Sequence, residues 1–304
     1  AWNQISPGLE KIRIVIAGKT KDSGQKIHNL TAAWRNDERY GEIIAFADAD
    51  SLWDLKTLRN LVIPLKQRDV GLCTGYRWIV PEDHAIPSIL ASVINGSVST
   101  ALGPSWRNSG WGGAMAIRRT LFDNLDIPGF WQGKLNDDVS LTRHLQNQRL
   151  KVSFAPGVTP VNLVKLDWLG LIAFGRRQYI QLWHYHFLLW FYGVLITSSN
   201  VHCWIIAIIL IFLGNAWGLT FAGLVFVSDM CRALARRRVV RSLLPEWAVA
   251  RLNRVFWFDF LLTPFWYFVH YCLVWSTLFS RRLKWSGITY EISSNTVRVI
   301  SRVG

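Results

Sequence analysis

The chain has 304 residues, of which 51% are hydrophobic and 17 are tryptophan, and its formal net charge is +14. The length allows one domain of ordinary size plus a further region. So apolar and tryptophan-rich a composition excludes an ordinary soluble protein and points to a bilayer interface, where an indole ring is wet at one edge and apolar at the other. The placement of the charge argues against a nucleic-acid partner: Arg232, Arg236, Arg237, Arg238, Arg241, Arg251 and Arg254 lie between two long apolar stretches, and Arg281, Arg282 and Lys284 follow the second. Basic residues flanking apolar spans form the positive-inside pattern of membrane proteins.

In chain order, KIRIVIAG (11–18) predicts a strand that ends at Gly18. GQKIHNLTAAWRN (24–36) spaces Ile27, Leu30 and Trp34 as a helix does,. EIIAFADAD (42–50) predicts a second strand, 52–65 a helix stopped near Pro64, and VGLCTGYRWIV (70–80) a third strand,. Strands alternating with helices imply an α/β domain with a mainly parallel sheet. Ligands of such sheets bind beyond the carboxyl ends of the strands, which is where Asp48 and Asp50 fall.

Residues i and i+2 of a strand point to the same side, so Asp48 and Asp50 repel unless something positive lies between them. A hard divalent cation with oxygen ligands, shared with substrate phosphates, is the usual solution; a polar turn after a buried strand is the plainer one. Further on, SGWGGAMAIRR (109–119) places glycines around Trp111 before a strand-like run. It reads either as a tight turn or as a platform for a sugar or acceptor. In NDDVSLTRHL (136–145), Asp137 and Asp138 open a helix carrying Leu141 and Leu145. Capping and the helix dipole account for one carboxylate; the other is available as a general base, its pKa raised by burial or by its neighbour. In GRRQYIQLW (175–183), Arg176 and Arg177 suit either a diphosphate or an interfacial anchor,, the anchor being the commoner role. Four scattered cysteines suggest neither zinc nor disulfides,, and no phosphate-loop or dinucleotide fingerprint occurs.

The second region is apolar from about 183 to 229, interrupted by TSSN at 197–200. It is long enough for two crossings with a turn near Asn200. Residues 255–279 form another apolar block, but Asp259 and Pro264 within it also fit a kinked or re-entrant segment,. A third full crossing would put Arg281, Arg282 and Lys284 on the far side, against the charge rule. SLLPEWAVARLNRVFWF (242–258) mixes arginine and aromatics as an interfacial helix does,. The expected organisation is a first domain over 1–181, a membrane region over 182–280 with two to three apolar helices, and a tail over 281–304.

GQKIHNL, FADADS, GWGGAMAIRR and LNDDVSLT, in this order and ahead of a membrane region, resemble the family 2 and 21 glycosyltransferases of GT-A fold, most closely the ceramide glucosyltransferase-like branch. The resemblance runs from about residue 11 to KWSGITYEI (284–292). It implies a GT-A, Rossmann-like domain and an inverting, metal-dependent hexosyltransferase that uses a UDP-sugar donor and a membrane lipid acceptor. By this resemblance Asp48 and Asp50 bind Mg²⁺ or Mn²⁺ and the donor diphosphate, with Asp50 the main ligand. Asp138, paired with Asp137, is the catalytic base; Lys26 and Asn29 lie near the donor, and Trp111, Gly112 and Gly113 form the acceptor-side turn. The family's Gln/Arg-x-x-Arg-Trp motif is not intact: its nearest match is Arg177 and Gln178, with Gln181 and Trp183. The family's opening membrane helix and first aspartate-bearing strand have no match, so the chain is expected to be N-terminally incomplete. The catalytic domain is expected on the cytoplasmic face of an integral membrane protein. A polysaccharide synthase of the same fold and a catalytically inactive membrane scaffold are the alternatives.

Overall fold

The computed structural model describes residues 13–36, 41–49, 53, 55–293 and 296–302. Helix α1 (Gln25–Arg35) leads to strand β1 (Ile43–Ala47); helix α2 (Leu55–Val62) runs into a 3₁₀ turn at Ile63–Lys66. Pro64 explains the change, because it has no N–H for the α-helical ladder. Then follow β2 (Val70–Thr74), β3 (Trp78–Pro81), α3 (Ile86–Ser99), β4 (Ala114–Arg118), α4 (Arg119–Asn124), α5 (Ile127–Phe130), α6 (Asp138–Asn147), β5 (Lys151–Phe154) and β6 (Val161–Val164).

The main sheet has the order β1-β4-β2-β5. β4 pairs antiparallel with both β1 and β2, while β2 pairs parallel with β5. The sheet is therefore mixed rather than mainly parallel. β1, β2 and β5 share one direction, but β4, the strand after the Trp-Gly-Gly turn, inserts between them in reverse. The alternating residues of β4 feed both faces. Met115 and Ile117 join Leu72, Phe122, Trp131 and Leu141 on one side, and Ala114 and Ala116 join Leu61, Leu65 and Val158 on the other.

Two predicted strands differ. Residues 13–20 form no strand, and Ile14 and Ile16 are exposed; residues 11 and 12 lie outside the described segment. Backbone N–H and C=O groups need partners, and no described strand pairs with this segment. His28 Nε2 and Gln25 Nε2 instead hold the Ala17 and Gly18 carbonyls, each at 2.8 Å. The expected 70–80 strand is split: β2 stays in the main sheet and β3 pairs with β6 in a second, two-stranded sheet.

The helical region comprises α7 (Trp168–Tyr185), α8 (Phe187–Phe212), α9 (Trp217–Leu243), α10 (Glu246–Leu261) and α11 (Thr263–Trp275). Among the described residues α8 and α9 are the two helices long and apolar enough to cross a membrane. They pack as a hairpin whose tip exposes Ile206, Ile209, Phe212, Leu213, Trp217 and Leu219, a larger apolar surface than a water-facing hairpin carries. The hairpin turn is at 213–216, where Gly214 takes a positive φ of 66°, and not at 197–200. There the polar residues satisfy themselves inside the helix. Thr197 and Ser199 donate back to the Gly193 and Leu195 carbonyls at 2.8 and 2.6 Å,, and Asn200 donates across to Asp229 of α9 at 3.0 Å.

The 255–279 block is not one span. It breaks at Leu262, with Pro264 in the first turn of α11. At 1.5 Å per residue, α10 and α11 are about 24 and 20 Å long, short of the ~30 Å hydrocarbon thickness. Asp259 is held by Arg236 through two hydrogen bonds of 2.7 and 2.6 Å. The chain then returns to its own N-terminal part. Strands β7 (Arg282–Trp285), β8 (Ile288–Ser293) and β9 (Thr296–Arg302) form an antiparallel sheet. Val297 N–H donates to Gly133 O at 2.8 Å, Val299 N–H to Lys21 O at 3.0 Å, and the Tyr290 hydroxyl accepts from Gln25 N–H at 3.2 Å. Residues read as a tail thus brace the start of α1.

Candidate active site

The register of β1 against β4 builds the site. Ala47 faces Ala114, so Asp48, the residue after β1, lies against Gly113. A Cβ on Gly113 would come within 2.6 Å of Asp48 Oδ2 and 2.2 Å of the Trp111 ring. Gly112 is equally constrained: its Cβ would lie 2.3 Å from Asp137 Oδ2 and 2.4 Å from Lys26 Nζ. The two glycines thus let bare backbone approach three charged groups.

Lys26 comes from the first turn of α1, which is seated by the Gly24 N–H donating to Lys134 O at 2.8 Å. Its ammonium donates to Asp48 Oδ1 at 2.8 Å and stands 3.3 Å from Asp137 Oδ2. That second contact pairs charges without the alignment of a hydrogen bond, so Asp137 Oδ2 is buried with none. Asp137 precedes α6 but does not cap it with its side chain. Asn136 Oδ1 takes that role, accepting from Ser140 N–H at 3.2 Å, and Asn136 is itself held by Gln181 of α7 at 3.0 Å. Asp138 Oδ2 accepts from Gly112 N–H at 3.0 Å and Oδ1 from Val139 N–H at 2.7 Å.

One lysine against Asp48, Asp137 and Asp138 leaves the cluster net negative. Burial alone would lower the Lys26 pKa, but the charges of Asp137, Asp138 and Asp48 outweigh it and hold the ammonium above its usual value. For Asp137, burial and the neighbouring Asp138 charge outweigh Lys26 and push the carboxyl up to about 7,. Asp50 lies outside the described residues, as do Ser51, Leu52 and Asp54. Among the described residues no group of three His, Cys, Asp or Glu side chains gathers as a metal cage. Magnesium sites of the substrate-phosphate type need only one or two protein carboxylates, and Asp48, with Oδ1 on Lys26, offers one at the strand end.

The segment entering the helical region divides its roles. Arg177 lies 5.4 Å from the Phe174 ring centre and 5.1 Å from that of Trp285 in β7. Burial and the charge of Arg77 lower its pKa, against the opposing pull of Asp138 and Asp48. Arg176 is an anchor, donating to the Ser276 carbonyl and the Ser280 hydroxyl near the end of α11. Trp183 is not brought to the carboxylates; its ring meets Phe187, Trp190 and Phe279. Asn29 is exposed, one turn beyond Lys26, and accepts from Gln25 Nε2 at 2.9 Å.

Beside the cluster opens a cavity of about 400 Å³, with Asp138 and Trp111 in its wall. It extends between α3, α7 and α8 to Tyr267 on α11, mostly between apolar and aromatic side chains, and Gln178 and Arg77 also face it. Neither Arg77 nor the cavity was visible in the motifs, although Arg77 does follow the carboxyl end of β2, the position where such sheets bind ligands. The Asn136–Gln181 brace has no sequence signal at all.

A comparison with curated proteins finds no match. The family model described as glycosyl transferase family 21 matches residues 7–298. That match spans the carboxylate cluster and the cavity and reaches into the C-terminal sheet, and the chain belongs to glycosyltransferase family 21.

Proposed function

We propose that this glycosyltransferase moves a hexose from a UDP-sugar to the hydroxyl group of a membrane lipid, with inversion, in a domain of GT-A type over residues 1–181. The observation that carries the reading is the position of Asp138: its carboxylate is oriented by the Gly112 and Val139 N–H groups and also lines an apolar cavity bordered by α8 and α11. A hydroxyl at the head of a lipid lying in that cavity would meet a carboxylate able to accept its proton. The acceptor oxygen then attacks the anomeric carbon from the face opposite the diphosphate. The anomeric C–O bond breaks, and UDP leaves with the bonding electrons. One displacement inverts the configuration, and the acceptor proton resides on Asp138.

Asp137 is 1% exposed and does not border the cavity, so it acts on the field at Lys26 and Asp138 rather than on the acceptor. Asp48 and Asp50 would hold Mg²⁺ or Mn²⁺, which when bound neutralises charge on the departing diphosphate. Asp48 stays oriented by Lys26. An apolar cavity favours a lipid over a growing polysaccharide, whose hydroxyls need polar partners. The return of β7–β9 to the N-terminal part puts Arg281, Arg282 and Lys284 on the same side as the catalytic domain and the α9–α10 arginines, which supports a cytoplasmic orientation.

The test is Asp138→Asn in the membrane-embedded protein, given a panel of UDP-sugars and membrane lipids with products identified by mass. Turnover should fall by roughly 10²–10⁴-fold while UDP-sugar binding stays near wild type. Retained turnover would remove Asp138 from the role of base.

A further inference from the structure

Two arginines beside the carboxylate cluster, Arg77 and Arg177, are held on one aromatic ring. Arg77 sits 5.1 Å from the ring centre of Phe174 and 6.0 Å from that of Trp111. Arg177 approaches the same Phe174 ring at 5.4 Å. Two guanidinium groups therefore share one aromatic ring, both half-buried, and among the described residues neither has a carboxylate within ion-pair distance. Deeper in the cavity Arg236 pairs with Asp259 and Arg232 with Asp229, while Arg107 donates to the Tyr192 hydroxyl at 3.0 Å. Like charges held together away from bulk water repel one another unless an anion joins them.

Their position says which anion. Arg77 follows β2 by three residues, at the sheet edge where Asp48 follows β1. Trp111 stands between them, near the Arg77 guanidinium on one side and packed by Gly113 towards Asp48 on the other. Asp138 and Arg77 both line the cavity, so Arg77 faces the place where a leaving group and an acceptor would meet, with Arg177 on the Phe174 ring that the two share. Planar guanidinium forks match phosphate oxygens through paired hydrogen bonds, and aromatic rings hold such forks in place without consuming their N–H donors.

We propose that Arg77 and Arg177, braced on Phe174, form a two-arginine clamp for the diphosphate of the sugar-nucleotide donor. This rests on the UDP-sugar reading above. The shared chemistry is a phosphate anion, and a phosphate carried by a lipid in the cavity is the other source.

The experiment uses the full chain in lipid nanodiscs, as wild type, Arg77→Ala, Arg77→Lys and Arg177→Ala. Each is titrated by calorimetry with UDP, with uridine and with dodecyl phosphate, in the presence of Mn²⁺. Each alanine variant should weaken UDP binding roughly tenfold or more, since a hydrogen bond to a charged group is lost, and leave uridine binding unchanged. Arg77→Lys, which keeps the charge but not the fork, should recover only part of the loss. If wild type and Arg77→Ala bind UDP equally, the clamp is overturned and the donor reading stands. If Arg77→Ala loses dodecyl phosphate but keeps UDP, the anion is the lipid's and the clamp is again overturned. If wild type does not bind UDP, the donor reading falls first and the clamp with it. An unchanged melting temperature in Arg77→Lys separates a binding loss from misfolding.

Discussion

Two polar clusters sit in this molecule, and they are built on opposite rules. In the helical region Asp229 accepts from Asn200, Trp204 and Arg232, and Asp259 is matched by both donors of Arg236. Each carboxylate there has its counter-charge and its hydrogen bonds. At the strand ends one lysine serves Asp48 and Asp137, and among the described residues Asp137 Oδ2 has no hydrogen bond and Arg77 and Arg177 have no carboxylate partner. The carboxylates of the helical cluster are fully matched and define packing, although Asn200 Oδ1 and Arg232 Nε beside them lack a partner, whereas a buried carboxylate oxygen without a hydrogen bond carries energy that a ligand can release. The helical cluster therefore locks α8, α9 and α10 together, and the strand-end cluster is the one left open to a ligand.

The comparison can be broken most forcefully at Asp259. Asp259→Ala would leave Arg236 buried without its partner, which costs about 3–5 kcal/mol. The double change Arg236→Met, Asp259→Leu should recover much of that loss. Thermal melting of the three variants checks it, and a double variant as unstable as the single would mean that the pair does more than hold the helices together. Next comes Gly112→Ala. A methyl group there overlaps the space of Asp137 Oδ2 and Lys26 Nζ, so the ion pair must separate. Transferase kcat/KM should fall by roughly 10²-fold, as misplacement of a catalytic group by about 1 Å does, with a much smaller change in melting temperature. A fully active Gly112→Ala protein would show that the close approach has no function.

The smallest effect expected is in the pH dependence. The Asp137 carboxyl titrates at about 7 in the folded protein and near 3.9 when unfolded. Between those values the folded state holds a proton that the unfolded state does not, so this group's contribution to stability is lost as pH rises from about 4 through about 7. Asp137→Asn should flatten the fall in melting temperature between pH 5 and pH 8. A slope the same as wild type's would place the titration elsewhere.

Much of the cluster could be read from local pattern. Asp48 after an apolar strand, the Trp-Gly-Gly turn and the Asp-Asp pair at a helix start were found by spacing, and each lies at the end of the element expected. Side-chain direction is decided by packing. The Trp183 ring meets Phe187, Trp190 and Phe279, Asn29 accepts from Gln25, and of the two adjacent arginines Arg176 ties α7 to the end of α11 while Arg177 turns to Phe174 and Trp285. Neighbouring helix residues point about 100° apart, and only packing says which of them faces the site.

Sequence alone determined that two apolar crossings follow the first domain with a basic segment after them, and where the acidic residues fall along that domain, because these depend on composition and short-range periodicity; it did not place the hairpin turn or separate β2 from β3. Three things were decided by the tertiary structure. The reversed insertion of β4 brought Gly113 beside Asp48. The break at Leu262 and the return of β7–β9 kept the C-terminal residues with the catalytic part. The stacking of Arg77 and Arg177 on Phe174 joined residues from two distant elements. Each depends on contacts between segments far apart in the chain, which no local pattern encodes.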